Sequence, residues 1–129
     1  MGKPPNVADV LAEFDRLVEV GIGRRPNVAA TLAASGHAVT ATDVHEREVP
    51  DGVRFVVDDV TDPDPAVYAN ADAVYALNCP PELHRALLDV AERADAACLF
   101  TTLGGDQPAV PVDRRTVETG TLFVARTRN

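Results

Sequence analysis

The alternation of short apolar runs with helix-like segments predicts an α/β fold: a three-layer sandwich on a mostly parallel sheet, finished by a C-terminal antiparallel hairpin. Three observations carry this expectation. The strand-like runs are apolar at consecutive positions, as strands buried on both faces are. Helical patterns separate them, and acids and glycines gather just after them.

The elements follow in order. An amphipathic helix over residues 7–14 precedes a first strand, Arg16–Val20. A glycine-bearing turn leads to a second helix over residues 27–35, with Val28, Ala29, Leu32 and Ala33 on one face. Gly36 suits the left-handed residue that ends such a helix. The second strand covers residues 38–42 and ends at Asp43, and the third, Val53–Val57, ends at Asp58-Asp59. Pro63-Asp64-Pro65 permits only a short helical turn. A fourth strand over residues 73–77 ends at Asn78. Pro80-Pro81 then open the longest helix, where proline fits the first turn, with Leu83, Leu87, Val90, Ala91 and Ala94 at helical spacing. Residues 96–101 form the fifth strand, and Thr119-Gly120 turns a closing hairpin. With right-handed crossovers this is a Rossmann-like arrangement, read as a single domain over residues 1–129.

Charge narrows the setting. The formal net charge is −8, and the bases are 11 Arg against one Lys, Lys3. Of 20 acids, 13 are Asp. Short carboxylates hold water and salt ions, whereas a lysine stem presents apolar surface. The balance is that of a salt-loving microbe, with an acidic GC-rich bacterial protein as the alternative. It also excludes nucleic acid as an evident partner, because the only paired bases are Arg24-Arg25 and Arg114-Arg115. No apolar run reaches the roughly 20 residues of a membrane helix, and the N-terminus lacks the apolar core of a signal peptide, so a cytoplasmic location is expected. Cys79 and Cys98 lack disulfide-framework or zinc spacing and are expected reduced, with no metal site.

In such sheets a ligand sits beyond the carboxyl ends of the strands, where the strand order reverses. Glu19-Val20-Gly21-Ile22-Gly23 places a carboxylate at the end of the first strand, then two glycines that let backbone approach a ligand. Asp43 follows Gly23 by twenty residues, where a carboxylate can accept from both ribose hydroxyls.

These residues resemble the class I S-adenosylmethionine-dependent methyltransferases, whose first motif is an acid followed by x-Gly-x-Gly-x-Gly, with further acids closing strands two and three. The resemblance covers residues 17–103. It implies S-adenosylmethionine as cofactor: Glu19 near the methionine amino group, Gly21 and Gly23 along the ligand, Asp43 on the ribose and Asp59 on the adenine amino group. The third glycine is replaced by Arg25, with Pro26 behind it, and Arg24-Arg25 can instead attract a phosphate or carboxylate at the helix start. A non-catalytic nucleotide-binding or scaffold module therefore stands beside the enzyme reading.

Asn78-Cys79-Pro80-Pro81 resembles the (Asp/Asn)-Pro-Pro-aromatic motif of amino-methyltransferases, which makes Asn78 the catalytic candidate. Cys79 is inserted and Glu82 replaces the aromatic ring; the simpler account is a helix start. Residues 75–83 are also similar to a family of short archaeal proteins with a Rossmann-like, methyltransferase-related fold, in which a strand ends in Tyr-Ser-x-x-Pro-Pro-x-Glu. That resemblance implies membership of the family, a haloarchaeal member by the charge balance above, and brings no activity with it. Substrate recognition would then fall to a homo-oligomer or a protein partner.

Other residues read more plainly. Cys79 is an inert turn cysteine, Cys98 is core, and His45 and His84 are surface histidines. His37 follows Gly36 in a turn, and Asp58, Asp59, Asp62 and Asp64 form a salt-solvating loop without calcium-loop spacing. Carboxylate repulsion sets the first expected outcome. The melting temperature should fall as KCl is diluted from molar to millimolar, and a salt-indifferent melt in a calorimetric scan would contradict the halophilic reading.

Overall fold

The computed structural model describes residues 2–127. Its elements in chain order are α1 (Val7–Leu11), β1 (Arg16–Val20), α2 (Asn27–Ala34), β2 (Ala38–Asp43), β3 (Val53–Val57), α3 (Pro65–Tyr68), β4 (Ala73–Ala76), α4 (Pro81–Arg93), β5 (Ala97–Phe100), β6 (Val112–Val117) and β7 (Gly120–Ala125). One sheet holds all the strands in the order β3-β2-β1-β4-β5-β7-β6. From β3 to β5 every pairing is parallel, and β7 is antiparallel to both β5 and β6.

The predicted three-layer α/β sandwich with its closing hairpin is therefore the observed fold. Its strands read as unbroken apolar runs because each face has its own cover. Val18, Val74, Cys98 and Phe100 pack with Leu87, Leu88 and Ala91 of α4 on one side. Leu17, Val39, Ala41, Tyr75 and Leu99 pack on the other with Leu11 of α1 and Leu32 of α2.

Local signals set most boundaries. Asn6 caps α1, its side chain accepting from Asp9 N–H at 2.8 Å while Asp9 returns an acceptor to Asn6 N–H at 3.1 Å. That helix ends at Leu11 rather than Phe14, because Ala12 already closes it and the chain must turn through Phe14 to enter β1. Gly36 ends α2 at φ +92°, with His37 N–H donating to Leu32 O at 3.1 Å.

The hairpin enters the sheet in reverse order. The last strand, β7, lies inside against β5, and β6 takes the edge. Side chains explain the order: β7 buries Leu122, Phe123 and Ala125, whereas Asp113, Arg114, Arg115 and Thr116 of β6 are exposed. Charged residues on an edge strand also discourage pairing with other chains. Glu118 N–H donates to Pro5 O at 2.8 Å, and Arg115 pairs with Glu13 at 3.4 Å, so the N-terminal segment is tied to this hairpin.

His84 is a correction. It is fully buried rather than on the surface, and its ring lies 4.2 Å from that of Phe100. Ala109 N–H donates to Nδ1 at 3.0 Å, which leaves Nε2 carrying the proton toward Cys79 O at 2.9 Å. One imidazole thus joins α4 to the turn before it and to the long segment after β5. The helical pattern missed this because the partners of His84 come from segments that only the fold brings near. Replacing His84 by Ala strands a buried carbonyl and N–H and opens a cavity. Unfolding free energy should drop by about 3 kcal/mol, and a denaturant titration showing a negligible change would remove this role.

Candidate functional site

The parallel strands run outward from β1 in both directions, β2 to one side and β4 to the other. Beyond the carboxyl ends of β1, β4 and β5 lies a cavity of about 1350 Å³. Glu19, Gly21 and Gly23 come to it from β1 and the following turn, and Asn78 and Thr101 from the ends of β4 and β5. Gly104 and Gly105 line the far loop, as do Thr121 and Phe123 of β7. The start of α1 lines another part through Asn6 and Val7.

Among the described residues, Glu19 is the one buried carboxylate lining that cavity. It is 1% exposed, and its Oε1 accepts from the Tyr75 hydroxyl at 2.7 Å. Burial pushes its carboxyl up from 4.5 to about 7, against the hydrogen bond from Tyr75, which lowers it. Burial and the neighbouring Glu19 raise the Tyr75 phenol well above its ordinary value. The sequence marked Tyr75 only as part of the phrase over residues 75–83; its bond to Glu19 appears only when β1 and β4 pair with Glu19 opposite Tyr75.

The turn after β1 needs its glycines. Gly21 and Gly23 have φ of +69° and +56°. The N–H groups of Gly21 and Ile22 both donate to Thr42 O, at 2.9 and 3.0 Å, which leans the turn over the end of β2. A Cβ on Gly21 would meet nothing within 4 Å, so the position is open space with a left-handed backbone.

Asp43 helps hold this turn. Its Oδ2 accepts from Gly23 N–H at 2.8 Å, its Oδ1 from His45 N–H at 3.1 Å, and Arg47 approaches to 3.6 Å. Burial pushes its carboxyl upward, but the two N–H groups and Arg47 outweigh it and hold the group below its ordinary value. Asp43 does not line the cavity and sits behind the turn that does. Beside it, Val44 is 56% exposed. Asp59 also lies off the cavity, exposed, its carboxylate accepting from the Thr61 N–H and hydroxyl at 2.9 and 2.6 Å. Asp58 accepts from the Tyr68 hydroxyl at 2.7 Å and from Asp64 N–H at 2.9 Å. These acids brace their own loop.

Asn78 reaches the cavity in a left-handed conformation, φ 51°, and its N–H donates to Thr101 Oγ1 at 2.8 Å. Asparagine tolerates this region better than most residues, so the turn keeps an amide side chain at the cavity where glycine would leave none. The two thiols are unsuited to attack. Burial, then Glu82, pushes Cys79 up to about 11; burial, then Cys79 and Glu92, pushes Cys98 up to about 12. Arg24 and Arg25 line the cavity with exposed side chains, joined by Arg114, which lies 5.5 Å over the Phe123 ring. The sequence marked Arg114 only as half of a basic pair and did not mark Phe123, since the hairpin's place in the sheet decides that they face this space.

Comparison with known proteins identifies the family. The model of the uncharacterised protein family UPF0146 matches residues 1–128, and the chain belongs to that family. A UPF0146 protein of Halobacterium salinarum is 65% identical over 98% of both chains. Among solved structures, the magnesium protoporphyrin IX methyltransferase of Synechocystis, crystallised with bound SAM, superposes with a TM-score of 0.59 at 14% identity. That match covers 92% of this chain and 72% of the other. The 1,6-didemethyltoxoflavin-N1-methyltransferase of Burkholderia thailandensis, crystallised with S-adenosylhomocysteine, gives 0.56 at 20% identity, covering 94% of this chain and 60% of that one. The chain thus spans a little under two thirds of that enzyme, and these likenesses show the methyltransferase-like fold.

The buried carboxyl yields a stability prediction with a defined sign. Glu19 binds its proton more tightly folded than unfolded, so its contribution is complete below pH 4.5 and fades as pH rises through about 7. Glu19→Gln keeps an acceptor for Tyr75 without the charge. The variant should match the wild type near pH 4 and exceed its unfolding free energy by about 3 kcal/mol near pH 8. Denaturant titrations at both values check this, and a difference independent of pH would contradict it.

Proposed function

We propose that this member of the UPF0146 family is a methyltransferase-like protein that takes S-adenosylmethionine, or a related adenosine ligand, at the carboxyl ends of β1 and β4. The observation that carries the reading is Glu19, a buried carboxylate on a cavity wall beside two glycines of positive φ. An ionised carboxylate there is an acceptor for the ammonium of the methionine end. The turn glycines leave open space for main-chain contact with the ligand. Across the same cavity Asn78 offers an amide to whatever group approaches the methyl.

The sugar end would extend beyond the cavity, past the glycine turn, toward Asp43 behind it. Its two oxygens already hold Gly23 and His45 N–H groups, but a carboxylate has about four acceptor sites, so capacity for hydroxyls remains. The neighbouring exposed Val44 supplies an apolar face for a purine ring. Asp59, turned to Thr61, would reach the adenine amino group only from the outer rim. Methyl transfer rests on alignment of the sulfonium with its acceptor, so few catalytic side chains are required. Asn78 is the candidate that touches the reacting groups.

A second reading, binding without transfer, is favoured by Arg25 at the third glycine position of the motif, where it lines the cavity. Calorimetry in molar KCl separates the two. Heat is expected from both S-adenosylmethionine and S-adenosylhomocysteine at pH 8. With Glu19 titrating at about 7, affinity should weaken about tenfold at pH 6 as its carboxylate is neutralised. Heat without methyl transfer to any acceptor in a cell extract leaves the binding module. Absence of heat from either compound, and from NAD or ATP, removes both readings.

A further inference from the structure

The cavity carries more positive charge than its surroundings explain. Arg24 and Arg25 reach it from the turn after β1, and Arg114 from β6. Among the described residues the ion pairs engage Arg47, Arg115 and Arg126, and none of these three. The acids on the cavity wall are Glu19, already bonded to Tyr75, and Asp106. A chain of net charge −8 has thus placed around one recess three arginines that have no carboxylate partner among the described residues.

A second observation falls at the same place. Helix α2 begins there with Pro26 as its N-cap, which offers no side-chain acceptor to the free N–H groups of the first turn. Asn27 and Val28 of that turn also line the cavity. The positive end of an eight-residue helix and two guanidinium groups therefore border one space.

We propose that this wall of the cavity binds the phosphate group of a small molecule, and that this molecule is the methyl acceptor. The acceptor assignment rests on the methyl-donor reading above; the anion site itself does not. Phosphate fits the donors better than a carboxylate, since its several oxygens can take guanidinium forks and helix N–H groups together. A long polyanion is disfavoured, because it needs a row of cationic contacts and this surface is acidic. Leu103, 66% exposed on the same cavity, gives the remainder of the molecule an apolar contact.

Inorganic pyrophosphate is the probe, titrated calorimetrically into the full chain in molar KCl. It should bind the wild type, with affinity reduced about tenfold or more in the Arg24→Ala/Arg25→Ala double variant and several-fold in Arg114→Ala. The control Arg85→Ala, on the exposed side of α4, should leave it unchanged, and melting curves confirm that each variant folds. No binding to the wild type, equal binding by the double variant, or succinate bound as tightly as pyrophosphate each overturns the phosphate site. S-adenosylhomocysteine titrated into the same wild-type preparation separates the two ideas. Its binding without pyrophosphate removes the anion site and leaves the donor reading. Pyrophosphate binding without it keeps the anion site and removes the acceptor assignment.

Discussion

Strand β1 is paired on both edges, with β2 through residues Arg16 to Val20 and with β4 through Leu17 to Glu19. The chain leaves its end for β2 on one side and must return across the sheet to place β4 on the other. Helices α2 and α4, which follow β1 and β4, pack on opposite faces of the sheet and leave a gap between those two departures. The cavity follows from that gap, and so does the position of each residue around it. Glu19 and Asn78 are far apart in sequence and border one space because β1 and β4 are neighbours.

At this point the fold works against its own stability. A carboxyl is buried at the end of the central strand, where an apolar residue would cost nothing, and its proton affinity rises to about 7. Asn78 occupies a left-handed conformation at the end of the adjacent parallel strand. Strain and buried charge persist where surrounding structure over-determines them, and they cluster where a protein binds something. Here both border one cavity. Elsewhere in the strand bodies the buried side chains are mostly apolar on both faces.

Electrostatics divides the molecule in the same way. The chain as a whole is acidic, at a net charge of −8, while the recess gathers arginines without carboxylate partners among the described residues. In molar salt the screening length is only about 3 Å, so distant attraction contributes little there. Recognition must come from direct contacts such as guanidinium forks and helix N–H groups.

The sequence determined much of this by itself. Runs of apolar residues, proline starts and glycine stops are local signals, and they located the five parallel strands and the long helix to within a residue or two. The acid and glycines after β1, and Asn78 after β4, were legible because residues that end parallel strands must lie at the ligand edge. Four matters waited for the tertiary structure: the Tyr75 hydroxyl on Glu19, the burial of His84, the inner place of β7, and the position of Asp43 behind the turn. Each depends on which strand or loop becomes a neighbour. A periodic pattern reports only how one segment meets its environment, so contacts between segments distant in sequence are fixed by packing alone.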